Sequence, residues 1–199
     1  MSTYSGGKLV FFASGNMHKY NEIRAMLTEY GLASAMLRIK GTEIQSDSIR
    51  EIALDSAKNA FKQSRVSLFV EDAGLFVDAL NGFPGPYAAF VYKTLDNQGL
   101  LKLMEGATNR RAVFRSAIAY CDKDGAPVCF EGETEGEITT AERKTDAKTA
   151  FGFDPIFKPL GSEKTFAQMK IDEKNAFSHR AIAVRKFSEW YTKRYRRRI

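Results

Sequence analysis

The stretch that most constrains this chain is its first regular one. Lys8–Ala13 is a short apolar run rich in Phe and Val. It breaks on Ser14-Gly15-Asn16, and Ile23, Met26, Leu27 and Tyr30 then recur at three- and four-residue spacing up to Gly31. A run of this composition reads as a strand, turn and cap residues end it, and the later spacing gathers apolar side chains on one helix face over 19–30. A strand that feeds a helix through so short a turn points to an α/β arrangement.

The pattern continues along the chain. Ile49, Ile52, Ala53, Ala57, Ala60 and Phe61 form a stripe that predicts a second helix over 48–64. Leu68 to Val70 reads as a short strand ending on Glu71-Asp72, with strand character resuming over 75–77. Gly82 to Pro86 demands a turn, and helical spacing follows over 87–95 and again over 98–104. The segments 111–120 and 127–137 read as two arms of a hairpin, which makes the sheet mixed, and a last helix begins near Ser178.

Composition sets limits on function. With 199 residues and 44% hydrophobic side chains, the chain is expected to form a single unit over 1–199. No run approaches the roughly 18 apolar residues of a membrane span, and 1–8 lacks the apolar core of a signal peptide, so a cytoplasmic protein without a membrane partner is expected. The net charge of +6 is carried at one end: from Arg185 to Ile199 there are seven basic residues against Glu189 alone. Such a tail reads as a solvated helix end favoured by the helix dipole, which argues against a nucleic-acid partner. Cys121 and Cys129 would flank a turn at Asp124-Gly125 and are expected to be reduced, and His18 and His179 have no nearby cysteine with which to build a zinc site.

Four segments carry groups suited to chemistry, each with an ordinary alternative. Ser14-Gly15-Asn16-Met17-His18-Lys19 places small polar residues and a lysine at a helix start, where unpaired N–H groups and the dipole suit phosphate; a stabilising cap would look the same. Glu43, Glu71 and Asp72 supply the one or two carboxylates that a magnesium ion takes, or are solvated surface acids. Phe151-Gly152-Phe153-Asp154-Pro155 offers rings for stacking on a base, or fills a core. Lys174 to Arg180 ends a loop and starts the last helix, with Lys174, His179 and Arg180 as donors for an anion or a base carbonyl.

Together these segments resemble the inosine triphosphate pyrophosphatase family, the non-canonical purine nucleoside triphosphate pyrophosphatases. The resemblance rests on Ser14-Gly15-Asn16 with Lys19, Glu43-Ile44-Gln45, Glu71-Asp72-Ala73-Gly74-Leu75, Gly82-Phe83-Pro84-Gly85-Pro86-Tyr87, Phe151 to Pro155 and Ser178-His179-Arg180, in that order. It implies a homodimeric α/β protein with an elongated, strongly bent mixed sheet flanked by helices and two lobes around a central cleft. It also implies roles. Ser14 to Lys19 hold the triphosphate, Glu43 and Asp72 serve Mg2+, and Asp72 activates the attacking water. Phe151 stacks on the base, and Gly152, Phe153, Asp154, His179 and Arg180 line its edge. Lys174 reaches phosphate or base, and Ala73 stands beside Asp72 where a hydroxyl residue is common. The implied reaction hydrolyses ITP, dITP or XTP to the monophosphate and pyrophosphate. Two other functions compete: a pyrophosphatase for modified pyrimidine nucleotides, and a non-catalytic nucleotide or RNA binder using the basic tail. The aromatic turn and Ser178-His179-Arg180 favour purines.

Overall fold

The computed structural model describes residues 8–39, 41, 43–124, 126–143 and 151–195. Part of the turn expected at Gly125, the start of the chain and the basic residues Arg196 to Arg198 lie outside this set. A seven-stranded mixed sheet runs in the order β2 (Leu32–Leu37), β1 (Lys8–Ala13), β3 (Leu68–Val77), β5 (Arg111–Cys121), β6 (Val128–Ile138) and β7 (Phe157–Pro159), with β4 (Pro84–Gly85) added to β3. The pairs β1–β2 and β1–β3 are parallel, and every pair beyond β3 is antiparallel. Around the sheet lie α1 (Met17–Glu29), α2 (Ile49–Ser64), α3 (Ala88–Leu103), α4 (Ile171–Phe177) and α5 (His179–Tyr195). The expected α/β class with a mixed sheet is observed. Among the described residues, no helix is long and apolar enough to cross a membrane.

The helix ends follow from their sequences. Asn16 caps α1, its Oδ1 accepting from the N–H groups of His18 at 2.9 Å and Lys19 at 3.2 Å. Gly31 ends the helix in the left-handed region, at φ 67°. Ser48 caps α2 through a bond from the Glu51 N–H. The two helical stretches expected over 87–104 are observed: α3 is broken at Asp96, whose backbone leaves the helical region at φ 52° and ψ −161° and whose Oδ1 accepts from Gln98 N–H at 2.7 Å at the start of the second stretch.

Alternation along β3 sorts the core. Leu68 and Val70 face α2, packing with Ile49, Ala53, Ala57, Ala117 and Ala119. On the other face, Phe69 joins Val10, Phe12, Ile23, Leu27, Ile118 and Phe187, which fasten α1 and α5 to the sheet. Further along that face, Leu75 and Val77 join Val91, Leu100, Phe114, Phe157 and Phe166. Between these two apolar clusters, the register places Glu71 opposite Ile118 and Ala73 opposite Ser116.

Several local readings change. Strand β3 does not stop at Glu71-Asp72, because its antiparallel ladder with β5 runs unbroken from Leu68 to Val77. Lys174 sits in α4 rather than in a loop, and β2 is an edge strand with no counterpart in the sequence reading. The two cysteines are free thiols, as expected. They lie diagonally rather than face to face, since Cys129 pairs with Ala119 and the strands end at Cys121 and Val128.

Candidate active site

The site occupies a gap in the sheet edge. Strand β1 pairs with β3 only at Leu68 and Phe69, and β4 pairs with it only at Leu75 and Phe76, so among the described residues one edge of 70–74 carries no neighbouring strand. A cavity of about 790 Å³ opens there, within the size range of small-molecule sites. It is lined by Ser14, Gly15 and Asn16 from the turn after β1, by Lys19 of α1, by Glu43, and by Ser56 and Asn59 of α2. Glu71, Asp72 and Ala73 of β3, Ala89 and Tyr92 of α3, Phe114, the turn Phe151 to Asp154, Lys174, His179 and Arg180 complete the wall. Of the residues expected at the site, only Met17 and His18 are not among those lining the cavity. Both are exposed, and the His18 ring stacks on Phe151 with centroids 5.5 Å apart.

Because successive strand residues point to opposite faces, Glu71 and Asp72 enter different surroundings. The Glu71 side chain is fully buried. Its Oε1 accepts from Ser116 Oγ at 2.8 Å and Arg180 Nε at 3.0 Å, while Lys19 Nζ lies 2.9 Å from Oε2 and donates to the Glu71 backbone carbonyl at 3.2 Å. Burial pushes the Glu71 carboxyl up, but Arg180 and Lys19 overcome it and hold the group down at about 2.

Arg180 Nη1 also donates to Glu22 Oε2, and Lys174 Nζ donates to Glu22 Oε1 at 3.0 Å and Asp154 Oδ2 at 2.8 Å. Asp154 Oδ2 accepts in addition from the Phe151 N–H at 2.8 Å, which ties the aromatic turn to the network. Lys19, Lys174 and Arg180 are thus balanced by Glu22, Glu71 and Asp154, as burial of these charges requires.

Asp72 stands apart from this balance. Burial raises its carboxyl to about 6; nearby Lys19 opposes the shift, and the charges of Glu71 and Glu43 add to it. A carboxylate held up by burial and by other carboxylates is relieved by a cation, and Asp72 with Glu43 supplies hard oxygen donors in the number that Mg2+ uses beside waters and phosphates. The residues present therefore fit that ion.

His179 is buried with its ring stacked on Phe114 at 4.7 Å, and its Nδ1 has no hydrogen-bond partner among the described residues. Burial and the adjacent Arg180 lower its pKa well below the usual value, so it lines the cavity as a neutral imidazole. The amides of α1 are less available than a bare helix start implies. Asn16 Oδ1 takes those of His18 and Lys19, and Ser14 Oγ accepts from the Asn16 N–H at 3.1 Å. Glu22, Ser116, Phe114 and Tyr92 escaped the sequence reading. Only Glu22 left a signal, standing three residues after Lys19 and so on the same helix face.

Comparison with known proteins identifies the family. The family model described as the Ham1 family matches residues 10–190. A protein of Methanopyrus kandleri named dITP/XTP pyrophosphatase is 45% identical over 182 residues, covering 92% of this chain and 95% of its own length. One of the same name from Ignicoccus hospitalis is 46% identical, covering 92% of this chain and 96% of its own length. The solved structure of the Staphylococcus aureus Ham1 protein superimposes with a TM-score of 0.81 at 27% identity, over 94% of this chain and 100% of that one. With the match spanning both cavity walls, from β1 to the middle of α5, the chain belongs to the Ham1 family.

Proposed function

We propose that this chain hydrolyses non-canonical purine nucleoside triphosphates, dITP, XTP and ITP, to the monophosphate and pyrophosphate, with Mg2+ as cofactor. The observation that carries the reading is the division of charge in the cavity. Three cations are balanced within the wall, while Asp72 and Glu43 remain as acids beside an open strand edge. The names of the relatives supply the substrate class.

In this reading the purine stacks on Phe151, and the neutral His179 and Arg180 meet its edge. A donor aimed at a 6-oxo group would face an amino group if ATP bound, and buried donors left unpaired discriminate by about 10⁴-fold or more. Lys19 and the Ser14–Asn16 turn meet the phosphates. Asp72, largely ionised at pH 7, accepts a proton from the water that attacks the α-phosphorus, and the bond to the bridging oxygen breaks as pyrophosphate leaves. When bound by Asp72 and Glu43, magnesium supplies charge neutralisation to the phosphate oxygens. Lys174 holds Asp154, which fixes the Phe151 turn.

Pyrophosphate release from ITP, XTP, dITP, GTP, ATP and pyrimidine triphosphates, with and without magnesium, tests the proposal. Activity confined to 6-oxo purines other than guanine supports it; equal turnover of ATP, or of pyrimidines, overturns it. We extend the reading to a homodimer, which light scattering tests: a particle of one chain mass refutes that part.

A further inference from the structure

The aromatic turn reaches the cavity from one wall and α1 from the other, and a single ring pair joins them near solvent. Phe151 is half-buried and lines the cavity, while His18 is exposed and lies outside it. Their rings are stacked, 5.5 Å apart and inclined by 25°. A ring has two faces. With one covered by the imidazole, the surface that Phe151 offers to a flat ligand lies away from His18.

The backbone on both sides holds the pair in place. Phe151 is pinned by its N–H to Asp154 Oδ2 at 2.8 Å, and its carbonyl accepts from Asp154 N–H at 3.2 Å. His18 is pinned by its N–H to Asn16 Oδ1 at 2.9 Å. The next residue, Lys19, sends its ammonium to Glu71. The imidazole thus stands one residue from the cation of the phosphate side and against the ring of the base side.

We infer that His18 is a positioning residue which backs Phe151, fixing the ring on which the purine stacks and coupling the base end of the site to the first turn of α1. This rests on the purine triphosphate reading above. It assigns His18 a contact with the aromatic turn rather than with phosphate. A backing ring lowers the freedom that Phe151 loses when a base binds, so its removal weakens substrate binding and leaves the chemical step alone. Stacking, not charge, is what the position supplies, and another flat side chain serves equally.

The test is a cycle of His18→Ala, Phe151→Ala and the double variant, with His18→Phe and His18→Lys beside them, each assayed for KM and kcat on XTP. His18 is exposed, so these changes leave folding intact, and circular dichroism checks that. The expected result is a three- to tenfold rise in KM for His18→Ala with kcat within about twofold, a span that stacking of one aromatic pair produces. No further rise should follow in the Phe151→Ala background, and His18→Phe should hold the parental KM. Three results overturn the role: a parental KM in His18→Ala, an undiminished effect when Phe151 is absent, or rescue by His18→Lys but not by His18→Phe, which would mean a charge acting on phosphate. A parent that releases no pyrophosphate from XTP overturns the functional reading itself, and this role with it.

Discussion

Glu71→Gln tests the charge network at its centre. The substitution keeps size and shape but removes the charge that Arg180 and Lys19 face, leaving Arg180 with Glu22 alone. A carboxyl lowered from 4.5 to about 2 in the native state contributes stability that is complete above its unfolded pKa and lost as pH falls through the folded one. At 1.36 kcal/mol per unit this amounts to about 3 kcal/mol at pH 7, matching the roughly 3–5 kcal/mol for breaking a buried pair. At pH 3, part way between the two pKa values, the same linkage leaves about 1 kcal/mol. Urea unfolding of both proteins at pH 7 and pH 3 should therefore show the variant less stable at pH 7 and the gap narrowing by about 2 kcal/mol at pH 3. A gap that stays constant between these pH values, or stays below about 1 kcal/mol at pH 7, would refute the argument that Glu71 is held ionised by its two partners.

Asp72→Asn should lower kcat on XTP by about 10² to 10⁴ with an unchanged unfolding midpoint or a small gain, because the parental carboxyl is ionised against the cost of burial; an unaltered rate removes Asp72 from the chemistry. For the parent, magnesium held by Asp72 competes with the proton, so the acid limb of kcat/KM should lie below about 6 and move lower as magnesium is raised; a limb that does not move with magnesium contradicts this. Gly132→Ala should prevent stable folding, since its Cβ would lie 2.2 Å from the His179 carbonyl oxygen and 2.7 Å from the Ala183 nitrogen; a soluble variant with the parental melting curve would show that α5 can move off β6. Ser48→Ala should cost about 1 kcal/mol in urea unfolding through loss of the α2 cap, and no measurable loss would mean the cap contributes nothing.

The parts of the fold that were legible in the sequence are those set by local rules. Asn16, Gly31 and Ser48 mark helix ends by the bonds and the backbone angle they supply, and the break between 95 and 98 appears as the Asp96 kink. Two adjacent acids read as a strand end because an isolated carboxylate avoids burial. Glu71 escapes that rule through Arg180, which lies 109 residues away and which no local pattern reveals. Glu22 escaped notice for the same reason, and so did the pairing of the two expected residues Lys174 and Asp154: a charge paired across the chain looks, in sequence, like a solvated one. Strand β2, Leu32–Leu37, interleaves Ala and Ser among its apolar residues, and it is a strand because β1 pairs with its whole length.

The interruption along β3 has a consequence for the protein's life outside catalysis. An unpaired strand edge is a template on which another polypeptide can add its own backbone. Here the open stretch, residues 70–74, is short and closed at each end by β1 and β4. Its carbonyl at Glu71 is occupied by the Lys19 ammonium. On the reading proposed above, the lysine that meets the phosphates also guards against strand-to-strand association, so Lys19→Ala should raise aggregation as well as weaken nucleotide binding.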